Sequence, residues 1–221
     1  MFDLDGTLVQ SEHVAAAAFT IAYERCVANG APPTRAFLAQ SGRPFEDICR
    51  DMGLPSEMTG IFRAESAARM TEVRIFPGIR NMLYALGCRG IALALFTGKD
   101  RPRTLALLEH LQLLEFFAAV ITPDDPFPPK PSPEAIHALC TSRPGMSLVT
   151  IVGDSTTDML TARLAGVGGV GVSWGVSDVA RLREAGAEFV ADSVPRLWRH
   201  LTRYALGGRI DTNAALTLRR P

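Results

Sequence analysis

The chain has 221 residues with 23 basic and 23 acidic side chains, so its formal net charge is zero. That balance argues against nucleic acid or an anionic membrane as partner, since both call for a basic face. Hydrophobic residues at 47% and charged residues at 21% are those of a globular chain and exclude a disordered one. The length accommodates one large domain, or one domain carrying a smaller insert. No apolar run reaches the roughly 20 residues of a membrane span. Asp3 and Asp5 stand where the apolar part of a leader would run, so a cytoplasmic protein is expected. Cys26, Cys49, Cys88 and Cys140 form no C-x-x-C pair and read as reduced, mostly buried thiols.

Met1 to Asp5 reads as the end of a short apolar strand followed by a Gly6-Thr7 turn. Glu12 to Asn29 is helical by its spacing of apolar residues, and Asn29-Gly30 closes it. Thr34 is placed to cap a short helix, Pro44 to open another, and Ser56 to begin a third reaching about Val73. Residues 12–75 therefore carry helical patterns and no convincing strand. Beyond Phe76-Pro77-Gly78 and a helix to about Leu86, the pattern changes. Ile91–Phe96, Ala118–Ile121, Leu148–Val152 and Val170–Val172 are short apolar runs suited to strands buried on both faces. Helical patterns at Arg101–Leu111, Pro133–Cys140 and Thr156–Leu164 separate them. Alternation of this kind predicts an α/β, doubly wound parallel sheet with a helical segment inserted after the first strand. The expected division is a core of 1–11 and 76–206, a helical cap of 12–75, and a tail of 207–221.

Ligands of an open parallel sheet bind beyond the carboxyl ends of its strands. Those ends carry Asp3-Leu4-Asp5-Gly6-Thr7, Thr97-Gly98-Lys99-Asp100, Pro129-Lys130-Pro131, and Gly153-Asp154 with Asp158 one helical turn later. Acidic groups, a hydroxyl and a lysine in these positions suit a divalent cation and a phosphate. Only two of the 23 basic residues are lysines, Lys99 and Lys130, and both fall in these loops. A lysine that survives a bias to arginine is a candidate for chemistry that arginine cannot supply. Lys130 fits that reading, while Lys99 reads as a loop-surface residue.

The order D-x-D-G-T, hydrophobic-T-G, K-P and G-D-x-x-x-D resembles the haloacid dehalogenase superfamily, in its helical-cap subclass. Phe76-Pro77-Gly78 and Ala165-Gly166-Val167 are similar to the phosphoglycolate phosphatase and β-phosphoglucomutase branch. The resemblance implies Mg²⁺ held by the side chains of Asp3 and Asp154 and the backbone carbonyl of Asp5. It also implies an aspartyl-phosphate on Asp3. In such a scheme Asp5 is the general acid and base, Thr97 and Gly98 bind phosphoryl oxygens, and Lys130 neutralises charge. Asp158 would brace the metal shell or the lysine. In the insert, Ser41-Gly42-Arg43-Pro44 resembles the segment that approaches substrate, with Arg43 gripping an anionic part of it. His13 follows the first motif near the same place; His110, His137 and His200 form no cluster and read as structural.

The expected activity is a phosphatase acting on a small, polar, phosphorylated metabolite, as monomer or homodimer. Two alternatives stand beside it: a phosphotransferase of the β-phosphoglucomutase type, and a catalytically silent binding or regulatory member. Mutases of that type usually carry Glu-Asp at the fourth motif, and Gly153-Asp154 favours hydrolysis. Asp5 argues against dehalogenation, and the lack of lysine in 12–75 argues against Schiff-base chemistry from the cap. Only Met1 and Phe2 precede Asp3, where relatives have several apolar residues. The expectation is a short central strand or a natural start further upstream.

Overall fold

The computed structural model describes residues 1–207 except 28, 144, 146 and 149. In chain order its elements begin with β1 (Val9–Gln10), α1 (Glu12–Cys26), α2 (Thr34–Leu38), α3 (Phe45–Asp51), α4 (Met58–Ala68) and β2 (Arg74–Ile75). Next come α5 (Ile79–Gly87), β3 (Leu93–Phe96), α6 (Arg101–His110), β4 (Phe117–Ile121), α7 (Glu134–Thr141) and β5 (Thr150–Gly153). The chain continues through α8 (Thr156–Leu164), β6 (Gly168–Val172), α9 (Val179–Glu184), β7 (Phe189–Ala191) and α10 (Val194–Gly207). Of the expected tail only Gly207, the last residue of α10, is described; the rest lies outside the described residues.

β3 and β4 pair in parallel, as do β5, β6 and β7. Residues 1–3 join the two groups. The Phe2 N–H donates to the Ala94 carbonyl at 2.8 Å, and the Phe96 N–H donates to the Phe2 carbonyl at 2.9 Å. On the other side, Val152 N–H donates to Met1 carbonyl and Asp3 N–H to Val152 carbonyl, each at 2.9 Å. The order is thus β4, β3, residues 1–3, β5, β6, β7, all parallel. Strand order reverses at residues 1–3, which is where such sheets open a crevice. Asp3 ends that central segment.

Three apolar clusters support the arrangement. Two lie against the sheet, one including Phe2, Leu4, Leu8, Leu83, Leu95 and Leu108 and one including Met1, Phe96, Ile121, Ile136 and Ile151. The other belongs to α1–α4, where Phe45 and Phe62 stack at 3.8 Å and Phe19 and Phe37 at 4.4 Å between ring centroids. A helical segment with its own aromatic core can hold its shape while resting on the sheet.

Several expectations need correction. Residues 12–75 do contain a strand: Arg74–Ile75 pairs antiparallel with Val9–Gln10. Two residues are too few for an alternating pattern to register, so the ribbon is invisible to periodicity. The first helix ends at Cys26, before Asn29, and Pro44 caps α3 instead of entering it. The short edge strand β7 and the helices α9 and α10 were not read from sequence. All four cysteines are free, but only Cys49 is buried, and Cys88 is exposed.

α6 begins at a strand end and is anchored by Asp100. Its carboxylate accepts from the Arg103 backbone N–H at 3.1 Å and from Arg103 Nε at 2.7 Å, and pairs with Arg63 at 3.3 Å. Burial alone would raise this carboxyl, but Arg103, its backbone N–H and Arg63 hold it below its ordinary value. A folded value below the unfolded one adds stability that is complete above about pH 4 and is lost as pH falls through the lowered folded value. Asp100→Asn keeps a capping side chain but loses the ion pair. We expect it to cost about 1–2 kcal/mol at neutral pH, with the gap to wild type closing in acid, measured by urea unfolding across pH. Phe2→Ala, removing a 2% exposed ring from the sheet centre, should cost about 3–5 kcal/mol in the same measurement.

Candidate active site

Three motif carboxylates converge beyond the strand ends. Asp3 follows the central segment, and Asp154 follows β5. Asp158 lies in the first turn of α8. Ligand oxygens of the three lie within 4.8 Å of one another, and all three residues are buried. Asp158 is fixed there by a reciprocal cap: the Asp158 N–H donates to Ser155 Oγ, while Ser155 N–H donates back to Asp158 Oδ2 at 3.1 Å. Asp154 accepts from the Thr7 hydroxyl at 2.8 Å and from the Val176 N–H at 2.9 Å.

Lys130 supplies the single ammonium in contact with this cluster. Its Nζ donates to Asp3 Oδ1 and to Asp158 Oδ1, both at 2.7 Å. Burial would lower the lysine, but Asp158 and Asp3 hold it above its ordinary value, so it stays charged. Burial pushes Asp3 well up; Lys130 opposes this and the charges of Asp158 and Asp154 add to it. Burial and then Asp158 push Asp154 up to about 7, against the Val176 N–H, the Thr7 hydroxyl and Lys130. Three buried carboxylates facing one ammonium are under-compensated. Hard oxygen donors in that state fit a divalent cation, which would relieve both the burial penalty and the mutual repulsion.

Asp5 stands apart from the cluster. It accepts from Lys99 Nζ at 2.6 Å and from the Ser11 hydroxyl. Burial would raise its carboxyl, but Lys99 and Ser11, with Arg103 further off, hold it below its ordinary value. Between Asp3 and Asp5 and the next turn the chain must bend sharply. Gly6 does so at φ +75, and a Cβ there would lie 2.3 Å from Asp154 Oδ2, so only glycine fits.

Thr97, at the end of β3, is buried and lies on the same cavity as Asp3 and Asp5. Its N–H donates to the Ile121 carbonyl at 3.1 Å and its hydroxyl accepts from Lys99 N–H at 3.2 Å. Gly98 meets the helical segment directly: a Cβ on it would lie 2.6 Å from the Gly42 carbonyl oxygen. Arg43 lines the cavity, with its guanidinium held by Gln40 at 2.7 Å and by Asp51. His13 is exposed, as are His110 and His137, and His200 stacks on Phe189 at 4.0 Å.

The structure thus brings together Asp3, Asp154, Asp158 and Lys130, and sets Asp5, Thr97 and Gly98 beside them. Lys99 is the residue that sequence reasoning misplaced. It is not a surface lysine: its side chain is 12% exposed and paired with Asp5. The signal was present, since the only two lysines of the chain both reach motif aspartates.

The haloacid dehalogenase-like hydrolase family profile matches residues 1–172. The chain is 34% identical over 205 residues to the probable phosphatase IndB of Dickeya dadantii, covering 87% of this chain and 88% of that one. It is 33% identical over 203 residues to the phosphoglycolate phosphatase of Salmonella typhi, covering 79% and 80%. Among solved structures it resembles a haloacid dehalogenase-like hydrolase of Streptococcus pneumoniae at TM-score 0.78 and 27% identity, covering 90% of this chain and 96% of that one. A hydrolase from Pseudomonas syringae shares the fold at TM-score 0.80 and 23% identity, covering 91% and 96%. The two relatives named above are called phosphatases, and the chain belongs to the haloacid dehalogenase-like hydrolases.

Proposed function

We propose that this protein is a Mg²⁺-dependent phosphomonoesterase acting on a small phosphorylated metabolite in the cytoplasm, through an aspartyl-phosphate on Asp3. The observation that carries the reading is Lys130 bound at 2.7 Å to Asp3 beside Asp154 and Asp158 at the reversal point of the sheet. Asp3 and Asp154, with the Asp5 backbone carbonyl, would hold the ion. When bound, Mg²⁺ offsets the repulsion between carboxylates and a phosphate dianion. The expected division into core (1–11 and 76–206) and helical cap (12–75) is part of the same proposal.

A carboxylate oxygen of Asp3 attacks phosphorus as the ester P–O bond breaks, and the bonding pair leaves with the ester oxygen. Asp5 gives that oxygen its proton. Water then attacks the phosphorus of the acyl phosphate, Asp5 takes the proton, and inorganic phosphate leaves with the Asp3 carboxylate restored. Asp5 as held by Lys99 and Ser11 is in the proton-accepting form, that of the second half-reaction. Before the first half-reaction it must loosen from Lys99 and take up a proton. Lys130 binds phosphoryl oxygen while remaining on Asp158, and Thr97 with the N–H of Gly98 orients the phosphoryl group.

Hydrolysis is favoured over mutase-type transfer by the packing at Gly153. A Cβ there would lie 2.3 Å from the Asp158 carboxylate, leaving no room for the Glu of that motif. The convergence of all the motif residues speaks against a silent member.

Phosphate release should be measured over a panel of phosphomonoesters, with and without Mg²⁺. We expect metal-dependent turnover that Asp3→Asn abolishes and Asp5→Asn lowers by ~10²–10⁴-fold. Failure of every ester, or turnover surviving in Asp3→Asn, rejects the mechanism. Gly98→Ala pushes a methyl against the Gly42 carbonyl and displaces the helical segment from the site. Its kcat/KM should fall by ~10²-fold with an unchanged circular dichroism spectrum, and wild-type kinetics would refute the contact's importance.

A further inference from the structure

The cavity that opens from Asp3, Asp5 and Thr97 has a volume of about 280 Å³ and extends into the helical segment. Its far wall is apolar. Val14, Phe37, Phe45, Phe62 and Met70 line it from the helical side, with Ala106 and Leu107 of α6 opposite. This departs from the expected polar metabolite.

The cations on the cavity offer little to an anionic substrate tail. Arg43 is taken by Gln40 and Asp51, and Arg103 by Asp100 at 2.7 Å; Lys99, held by Asp5 at 2.6 Å, is released only when Asp5 takes up its proton, and it sits at the phosphoryl end of the cavity. Arg103 also lies over the Phe62 ring at 5.2 Å. Away from the phosphoryl end, a substrate carboxylate would have to displace Asp51 from Arg43 or Asp100 from Arg103. Of the hydroxyls lining the same cavity, Ser41 donates to the Leu38 carbonyl at 2.8 Å and Ser11 to Asp5, which leaves Ser66 on the helical side and Thr97 at the phosphoryl end. A polyhydroxylated tail would leave buried polar groups unpaired there, which costs binding.

Resting on the phosphatase reading, we propose that the alcohol half of the substrate is an uncharged apolar group of about ring size, not a carboxylate-bearing or polyhydroxylated one. A dry apolar cavity of roughly 150 Å³ takes a benzene molecule, so one ring fits here with the phosphoryl group at the Asp3 end. The two carbons of phosphoglycolate would leave most of the wall uncovered. An apolar ring would bury against Phe37, Phe45 and Phe62 and gain aromatic contact.

The test compares kcat/KM of the full chain with Mg²⁺ for benzyl phosphate and phosphoglycolate, both esters of alkyl alcohols, with Asp3→Asn as the control for contaminating activity. The expected result is a preference of at least ~10-fold for the benzyl ester. Equal or better turnover of phosphoglycolate overturns this inference and leaves the phosphatase reading standing. No turnover of either ester overturns both. Ala106→Lys adds a cation at an exposed position on the cavity wall. The ratio should move about tenfold toward phosphoglycolate; an unmoved ratio overturns the assignment of this cavity to the alcohol half.

Discussion

The site depends on one buried ammonium. Lys130 bridges Asp3 and Asp158 while Asp154 stands beside them. Removing charges from water is costly, and a buried ion pair recovers the cost only when its hydrogen bonds are satisfied. Here the remaining oxygens of Asp158 and Asp154 find a helix N-terminus, a hydroxyl and a backbone N–H, yet Asp3 and Asp154 still carry a residual deficit. A divalent cation would relieve that deficit and keep Asp3 in the charged form that the proposed attack requires.

The sheet supplies the geometry that makes this possible. Residues 1–3 bond to β3 on one side and β5 on the other, so the ends of three strands meet within a few residues. Asp3 comes from the centre, Thr97 from one neighbour, and Asp154 from the other. No single loop could bring these groups so close and keep them apart from solvent. The aromatic cluster of α1–α4 closes the opposite side, and the backbone of Gly42 and Arg43 reaches down onto Gly98.

Much of this was legible in the sequence because each motif follows an apolar run, and parallel sheets gather such positions at one edge. Thr156–Leu164 matched its helix to the residue, since Ser155 and Asp158 write a capping box into the chain. Three things escaped. The ribbon of β1 and β2 has two residues per strand, below the reach of any periodic signal. Arg43 pairs with Asp51, eight positions away at the far end of α3, a spacing outside the three- and four-residue contacts that helical periodicity predicts. The apolar face bearing Phe37, Phe45 and Phe62 reads the same from sequence whether it packs a core or lines a cavity, and here it does both.

That small ribbon has a consequence for how such molecules diversify. Val9 stands opposite Ile75 and Gln10 opposite Arg74, so the chain leaves the sheet and returns to it through two adjacent antiparallel strands. Their Cα atoms are expected about 4.5–5.5 Å apart. Everything between them is therefore joined to the catalytic platform at one narrow doorway. A replacement segment of another length or shape need only present two ends at that spacing to be seated without disturbing Asp3 or its neighbours. Substrate preference can then be exchanged as a cassette, while the chemistry stays fixed in the part of the chain that does not change.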